Sequence, residues 1–421
     1  MNYTGMKIVP DPESSPIRTT SPVKRDRIYQ GAGTGGALKE LTPGDASSRL
    51  SKPREEQVMR EARKFAVFDS VKAEAFAGEL LSVLNHGALC LMASIGHRTG
   101  LFDAMRELPP TTAGAIAEEA GLNERYVREW LGAMVTGGVI EVDPTTGKYH
   151  LPAEHAAVLT RAAAADNMAV FSQYIAVMGC VEDEIVECFF KGGGVSYEKF
   201  PRFHAVMAED SGQSVLSSLV SHVLPLIPGL TDRLATGIRV LDVGCGSGRI
   251  MNRLAELYPN SRFTGFDLSR EAVGKARTEA SQKGLRNIEF IVRDLTGFDA
   301  TAKPEEYDLV TTFDAVHDQA RPLDVLKGIH RALKADGWYL MQDIRGSSHV
   351  HKNIGHPIGT FLYAISTMHC MTVSLAQGGE GLGAMWGEEK TREYLQNAGF
   401  RHIQTNQLAH DIQNNWYVVR K

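Results

Sequence analysis

The chain has 421 residues, 43% of them hydrophobic and 23% charged, with a formal net charge of −5. That length suits two or three domains with cores of good size, and the slight acidic excess excludes a global basic footprint for nucleic acid. The five cysteines, Cys90, Cys180, Cys188, Cys245 and Cys370, form no CxxC pair, which argues against a disulfide framework or a zinc knuckle and suits a reducing, cytoplasmic compartment.

Residues 1–53 read as a disordered tail, because Pro10, Pro12, Pro16, Pro22, Pro43 and Pro53 break every periodicity. Within it Gly31-Ala32-Gly33-Thr34-Gly35-Gly36 spells G-x-G-x-x-G, but no apolar strand precedes it, so it reads as linker. No signal-peptide h-region is expected at the start, and Asp11, Glu13 and Asp26 weaken a transit-peptide reading. Residues 54–158 form the next domain. Phe65, Phe68, Val71, Leu80, Leu81 and Leu84 give helical faces up to about residue 108. The most apolar stretch, Leu80 to Gly96, contains Asn85 and His86 and reads as too short and polar to span a bilayer, so no membrane partner is expected.

Thr112 starts a helix that Gly121 stops, and Asn123 caps a second that Gly137-Gly138 ends. Tyr126, Val127, Trp130, Leu131, Met134 and Val135 are assigned to the core side of that second helix. Short strands at 139–142 and 148–151 flank a turn, Pro144 to Gly147. Helix, turn, helix and hairpin make a winged helix. From Thr111 to His150 there are six acids against three bases, a net charge that repels phosphates, so no nucleic-acid partner is expected. Residues 159–236 read as a helical linker and substrate cap, with helices at 168–190 and 203–224. Tyr197, Phe200, Phe203, His204, Met207 and Met178 are equally good as pocket lining or core.

From residue 237 strands and helices alternate, which predicts a parallel α/β sheet covered on both faces. Its first unit, Val240-Leu241-Asp242-Val243-Gly244-Cys245-Gly246-Ser247-Gly248-Arg249, is a buried strand, a glycine turn and a helix start, the layout of a nucleotide-binding crevice. A dinucleotide fingerprint would need a third glycine where Arg249 stands; the glycine is at 248, giving D-x-G-x-G-x-G. Arg262 to Asp267, Asn287 to Asp294, Glu306 to Val316 and Gly337 to Asp343 are the next strands, and Arg401 to Gln407 with Trp416 to Arg420 read as a hairpin at the sheet edge. The segment 344–386 is too long for a plain loop and is assigned as a partly helical cap insert.

The glycine pattern resembles motif I of class I S-adenosylmethionine (SAM)-dependent methyltransferases. With the winged helix, the chain is similar to the members that methylate small molecules at oxygen and carry an N-terminal winged-helix domain. Tyr363 to Ser366, His369 to Thr372 and Gly383 to Gly387 look like a branch of that family whose acceptors those segments do not name. The resemblance implies a Rossmann-like, seven-stranded SAM methyltransferase sheet behind an all-helical, winged-helix domain that serves as a dimerisation module. It implies SAM as cofactor, held by Asp242, Gly244, Cys245, Gly246, Gly248, Asp267, Leu268, Asp294, Leu295 and Phe313. Asp267 would accept the ribose hydroxyls and Asp294 the adenine amino group.

Methyl transfer from a sulfonium asks the protein for alignment, exclusion of water and, for a hydroxyl, removal of a proton. His317-Asp318 follows the fourth strand, where open α/β sheets place working side chains. The pair matches the family's H-D, in which the histidine is the general base; Gln319 stands where many members have an aromatic residue. A loop histidine with no such role is the alternative. His349, His351, His356, His369, Cys370 and Glu380 in the insert lack a repeating ligand spacing, so no metal is expected. The expected activity is methylation of a small molecule by a homodimer, against a SAM-binding regulator acting on DNA or a protein.

Overall fold

The computed structural model describes residues 68–421. The tail 1–53 with its glycine run, and residues 54–67 of the helical stretch, lie outside the described residues.

Helix α1, Ser70–Thr99, is 30 residues long. This corrects the expectation drawn from Leu80 to Gly96. The apolar periodicity continues through Asn85 and His86, and the helix is long and apolar enough to cross a membrane by length and composition alone. Its side chains are largely uncovered, with Leu81 and Leu84 65% and 69% exposed.

Helix α2 (Leu101–Glu107) leads into α3 (Ala113–Ala120) and α4 (Glu124–Thr136), then the antiparallel wing β1 (Glu141–Val142) and β2 (Tyr149–His150). The side-chain caps are those expected: Thr112 Oγ1 accepts from Ala115 N and Asn123 Oδ1 from Arg125 N. Phe102, Ile116, Val127, Trp130, Leu131 and Met134 form the core of this domain. Tyr126 does not join them and is 78% exposed. It lies about 100° round the helix from Val127, beyond the margin of the buried stripe.

Helices α5 (Ala153–Leu159), α6 (Ser172–Gly179), α7 (Glu182–Lys191), α8 (Phe203–Ser211) and α9 (Leu230–Thr236) connect the two domains. The single helices expected at 168–190 and 203–224 are broken. The first is interrupted at Cys180-Val181, and after Ser211 the second continues as two π-turns, Gly212–Leu216 and Leu219–Val223. His97 Nε2 at the end of α1 lies 2.7 Å from Glu209 Oε1 of α8, and Gln173 Nε2 donates to the other oxygen at 2.8 Å.

The remaining elements are β3 (Arg239–Val243), α10 (Arg249–Leu257), β4 (Arg262–Asp267), α11 (Arg270–Gln282), β5 (Ile288–Val292), α12 (Phe298–Thr301), β6 (Tyr307–Phe313), α13 (Pro322–Ala332), β7 (Leu333–Ile344), α14 (Gly359–Ile365), α15 (Met371–Ala376), α16 (Gly387–Asn397), β8 (His402–Asn406) and β9 (Asn414–Arg420). They build a seven-stranded sheet in the order β5-β4-β3-β6-β7-β9-β8. Strands β3 to β7 are parallel, and β9 runs antiparallel between β7 and the edge strand β8. The order reverses between β3 and β6, so a crevice opens above their C-terminal ends, where this class of sheet binds ligands. One face packs Tyr339, Met341, Tyr417 and Val419 under α13 and α16; the other packs Val240, Leu340, Trp416 and Val418 under α10 and its neighbours.

Candidate active site

The glycine turn sits at that crevice. Gly244 N and Cys245 N both donate to Phe266 O of β4, at 2.8 and 2.9 Å, and Gly248 N closes the turn on Cys245 O at 2.9 Å. All three glycines have positive φ, +79°, +52° and +71°, which favours residues without Cβ. A Cβ on Gly244 would stand 2.5 Å from Ala315 Cβ, so this glycine lets the loop leaving β6 pass directly over the turn. A Cβ on Gly246 would meet nothing within 4 Å: here the backbone faces open space and forms a cradle.

Asp267, at the end of β4, braces the cradle. Its Oδ2 accepts from Gly246 N and its Oδ1 from Ser269 N, both at 2.8 Å. Each oxygen keeps a lone pair for a ligand hydroxyl. Asp294 is exposed past β5, with Oδ1 accepting from Thr296 N at 2.8 Å. Leu268 is exposed beside Asp267, whereas Leu295 is buried in the core and Phe313 is half-buried edge-on to Trp416. Asp242 is paired across the sheet with Thr311, whose Oγ1 donates to Asp242 Oδ1 at 2.7 Å, and burial pushes its carboxyl up to about 7. It ties β3 to β6 beneath the turn, and the turn itself is braced by Asp267.

The loop after β6 carries Asp314, His317 and Asp318. Asp314 has φ +48°, a conformation that costs energy for a residue with a side chain and recurs at functional sites. His317 is buried, and its Nδ1 lies 2.8 Å from Asp343 Oδ1 at the end of β7. The same oxygen accepts from Trp386 Nε1 at 2.9 Å and from Ile344 N at 2.8 Å. With three donors on one carboxylate oxygen, Nδ1 of His317 is the nitrogen that carries the hydrogen, and Nε2 is left as the acceptor. Burial alone would lower this imidazole, but Asp343, aided by Cys370, outweighs it and holds His317 well above the ordinary value. Burial and then Asp343 push the Asp314 carboxyl well above its usual range.

The carboxylate hydrogen-bonded to His317 Nδ1 is thus Asp343 of the next strand, not the adjacent Asp318. Asp318 is half-buried, its carboxyl pushed up to about 6 mainly by burial. Gln319, in the position of the aromatic residue, donates to Ala315 O at 2.8 Å and stiffens the loop.

One atom each of Asp314, His317 and Asp343 lie within 4.8 Å of one another. Asp343 Oδ1 is occupied by its three donors, whereas Asp343 Oδ2 and Asp314 Oδ1 are buried with no hydrogen-bond partner among the described residues. In the insert, His349 and His351 are exposed on a loop with their rings stacked at 5.7 Å, while His369 and Cys370 are buried. Asp343, Trp386 and Cys370 were legible as residue types, but nothing local in the sequence joins residue 343 to 317; a carboxylate ending the fifth strand was the available signal. The insert covers the crevice with α14, a π-turn Ser366–Cys370 and α15. Tyr174, Phe200, Phe203, Val206 and Val373 pack together there, and Tyr197 stacks on His204.

A family profile described as a methyltransferase domain matches residues 234–399, and one described as an Rv2258c-like winged HTH domain matches residues 87–161. The chain carries a methyltransferase domain. The methyltransferase part is 27% identical to the ubiquinone biosynthesis O-methyltransferase of Leptothrix cholodnii over 30% of this chain and 57% of that protein. It is 32% identical to the enzyme of the same name from Ruegeria pomeroyi over 27% of this chain and 44% of that protein. The chain thus spans about half the length of these curated relatives. Among solved structures, the mitomycin 7-O-methyltransferase MmcR superposes with a TM-score of 0.59 at 19% identity, covering 83% of this chain and 100% of that one. Human N-acetylserotonin methyltransferase, solved in complex with SAM, gives 0.59 at 20% identity over 85% and 99%. These likenesses establish the Rossmann-like methyltransferase fold with its helical, winged-helix N-terminal domain.

Proposed function

We propose that this methyltransferase transfers a methyl group from SAM to a hydroxyl of a small-molecule acceptor, with His317 as general base. The observation that carries this is the buried His317–Asp343 pair, set beside the glycine cradle by the contact of Ala315 with Gly244. When bound, SAM supplies an electrophilic sulfonium methyl. The turn Gly244–Gly248, Asp267, Leu268 and Asp294 would hold it; the open space at Gly246 and the spare lone pairs of Asp267 fit such a ligand. His317 Nε2 takes the proton of the acceptor hydroxyl, and Asp343 fixes the tautomer and stabilises the imidazolium that forms. The cap over the crevice excludes water and aligns the acceptor. The names of the curated relatives, all O-methyltransferases in the pair above, support oxygen as the receiving atom.

On the same reading the chain is a homodimer in the cytoplasm that takes no nucleic acid. The uncovered apolar side of α1 is the face for the second copy, since a patch of that kind is costly to leave in water. The acidic balance of the winged helix supports protein contact over DNA. The test is transfer of label from methyl-labelled SAM into small molecules of a cell extract, with wild type and His317→Ala compared. Label in an acceptor, lost with His317→Ala, is the expected result. SAM binding with no labelled acceptor would leave a SAM-binding regulator and refute catalysis.

A further inference from the structure

Proton transfer at His317 makes no use of His369, yet His369 is 1% exposed and neither of its ring nitrogens has a hydrogen-bond partner among the described residues. Burying such a group unpaired is costly, and an orphan of this kind calls for an explanation. Its backbone lies in the π-turn Ser366–Cys370, an irregularity that recurs at functional sites. The next residue, Cys370, is buried beside it and helps raise the His317 imidazole. The ring of His369 stacks on Phe203 at 3.5 Å and meets Tyr197 and Phe200 edge-on at 5.1 and 4.8 Å. Burial first, and then His317, hold it well below the usual imidazole range, so it offers one donor and one acceptor without charge.

We infer that His369 reads the acceptor: it hydrogen-bonds a second polar substituent of an uncharged, flat, phenol-like molecule whose reacting hydroxyl faces His317. This rests on the methyl-transfer reading and extends it to a substrate class. The aromatic walls select a flat body. An uncharged imidazole pairs with a hydroxyl or carbonyl and gives an anionic substituent no counter-charge.

Calorimetry on the full chain saturated with S-adenosylhomocysteine tests this, with phenol, catechol, resorcinol and salicylate as probes. The better of the two dihydroxybenzenes should bind wild type about 5–10-fold tighter than phenol, the effect of one neutral hydrogen bond. Salicylate should bind more weakly than that probe. His369→Phe should abolish the preference over phenol, and His369→Asn, which keeps a donor and an acceptor, should retain part of it. Equal S-adenosylhomocysteine affinity in all three proteins separates these effects from misfolding. The inference is overturned if wild type does not prefer a dihydroxybenzene to phenol, if salicylate binds as tightly, or if His369→Phe keeps the preference. Wild type that fails to bind S-adenosylhomocysteine sinks the methyl-transfer reading itself; binding without the dihydroxybenzene preference sinks only the role of His369.

Discussion

Replacing Asp343 by Asn removes one charge at the centre of the site and little else. The amide oxygen of Asn still accepts from Trp386 Nε1 and Ile344 N, so the shape of the pocket is kept. What is lost is the charge-assisted bond to His317 Nδ1, 2.8 Å long and buried on both sides. Such a bond contributes about 1.5–3 kcal/mol, which at about 1.4 kcal/mol per pKa unit lowers the imidazole by roughly 1–2 units. In wild type the group is held above its ordinary value of ~6.5. Its base form therefore appears only as pH rises past that point, and turnover should climb along a limb with its midpoint above ~6.5. In Asp343→Asn the depressing effect of burial is less opposed, and the midpoint should move to lower pH by the same 1–2 units. The plateau should fall about ten- to hundredfold, because the imidazolium formed in the reaction has lost its counter-charge. An NMR titration of the His317 ring reads the shift directly; turnover against pH, with the acceptor found by labelling, reads its consequence. A midpoint at or below ~6.5 in wild type, or one unmoved in the variant, would refute the assignment of Asp343 as the orienting group.

His317→Ala should lower turnover by about 10²–10⁴-fold with SAM affinity nearly unchanged; retention of most activity with a flat pH profile makes His317 a loop residue. Asp267→Ala should weaken SAM binding by about 1.5–3 kcal/mol in calorimetry, since it removes both the ligand's acceptor and the brace on Gly246 N; unchanged affinity would place the cofactor elsewhere. Leu81→Glu with Leu84→Glu should turn a dimer into a monomer by light scattering, whereas salt-sensitive duplex binding by wild type in a gel shift would favour a DNA role for the winged helix. The His317–Asp343 pair should stabilise the fold fully below about pH 6.5 and progressively less as pH rises through the raised value of the histidine; thermal melts of wild type and His317→Ala across that range should converge at high pH.

Much of the site was legible because its parts are local. The spacing of Gly244, Gly246 and Gly248 after an apolar run is a property of ten consecutive residues, and it read correctly as a strand-to-helix turn at a ligand crevice. The caps Thr112 and Asn123 were legible for the same reason, since a cap bonds a backbone group two or three residues away. The breaks in the linking helices were not. Cys180-Val181 and the π-turns after Ser211 contain no proline, so local propensity gave no warning of them.

By itself the sequence determined the alternating α/β order, the winged helix, the glycine turn and the position of His317 at a strand end, all of which follow from periodicity and short-range chemistry. Only the tertiary structure decided who works with whom. Parallel strands set side by side bring Asp343 to His317, although 26 residues separate them. The same packing gives the bracing of the turn to Asp267, ties Asp242 to Thr311, and folds the insert back so that Trp386 and Cys370 meet the acid–base pair. Partnerships of this kind depend on strand order and register, which the chain settles only when distant segments bury their apolar faces against one another.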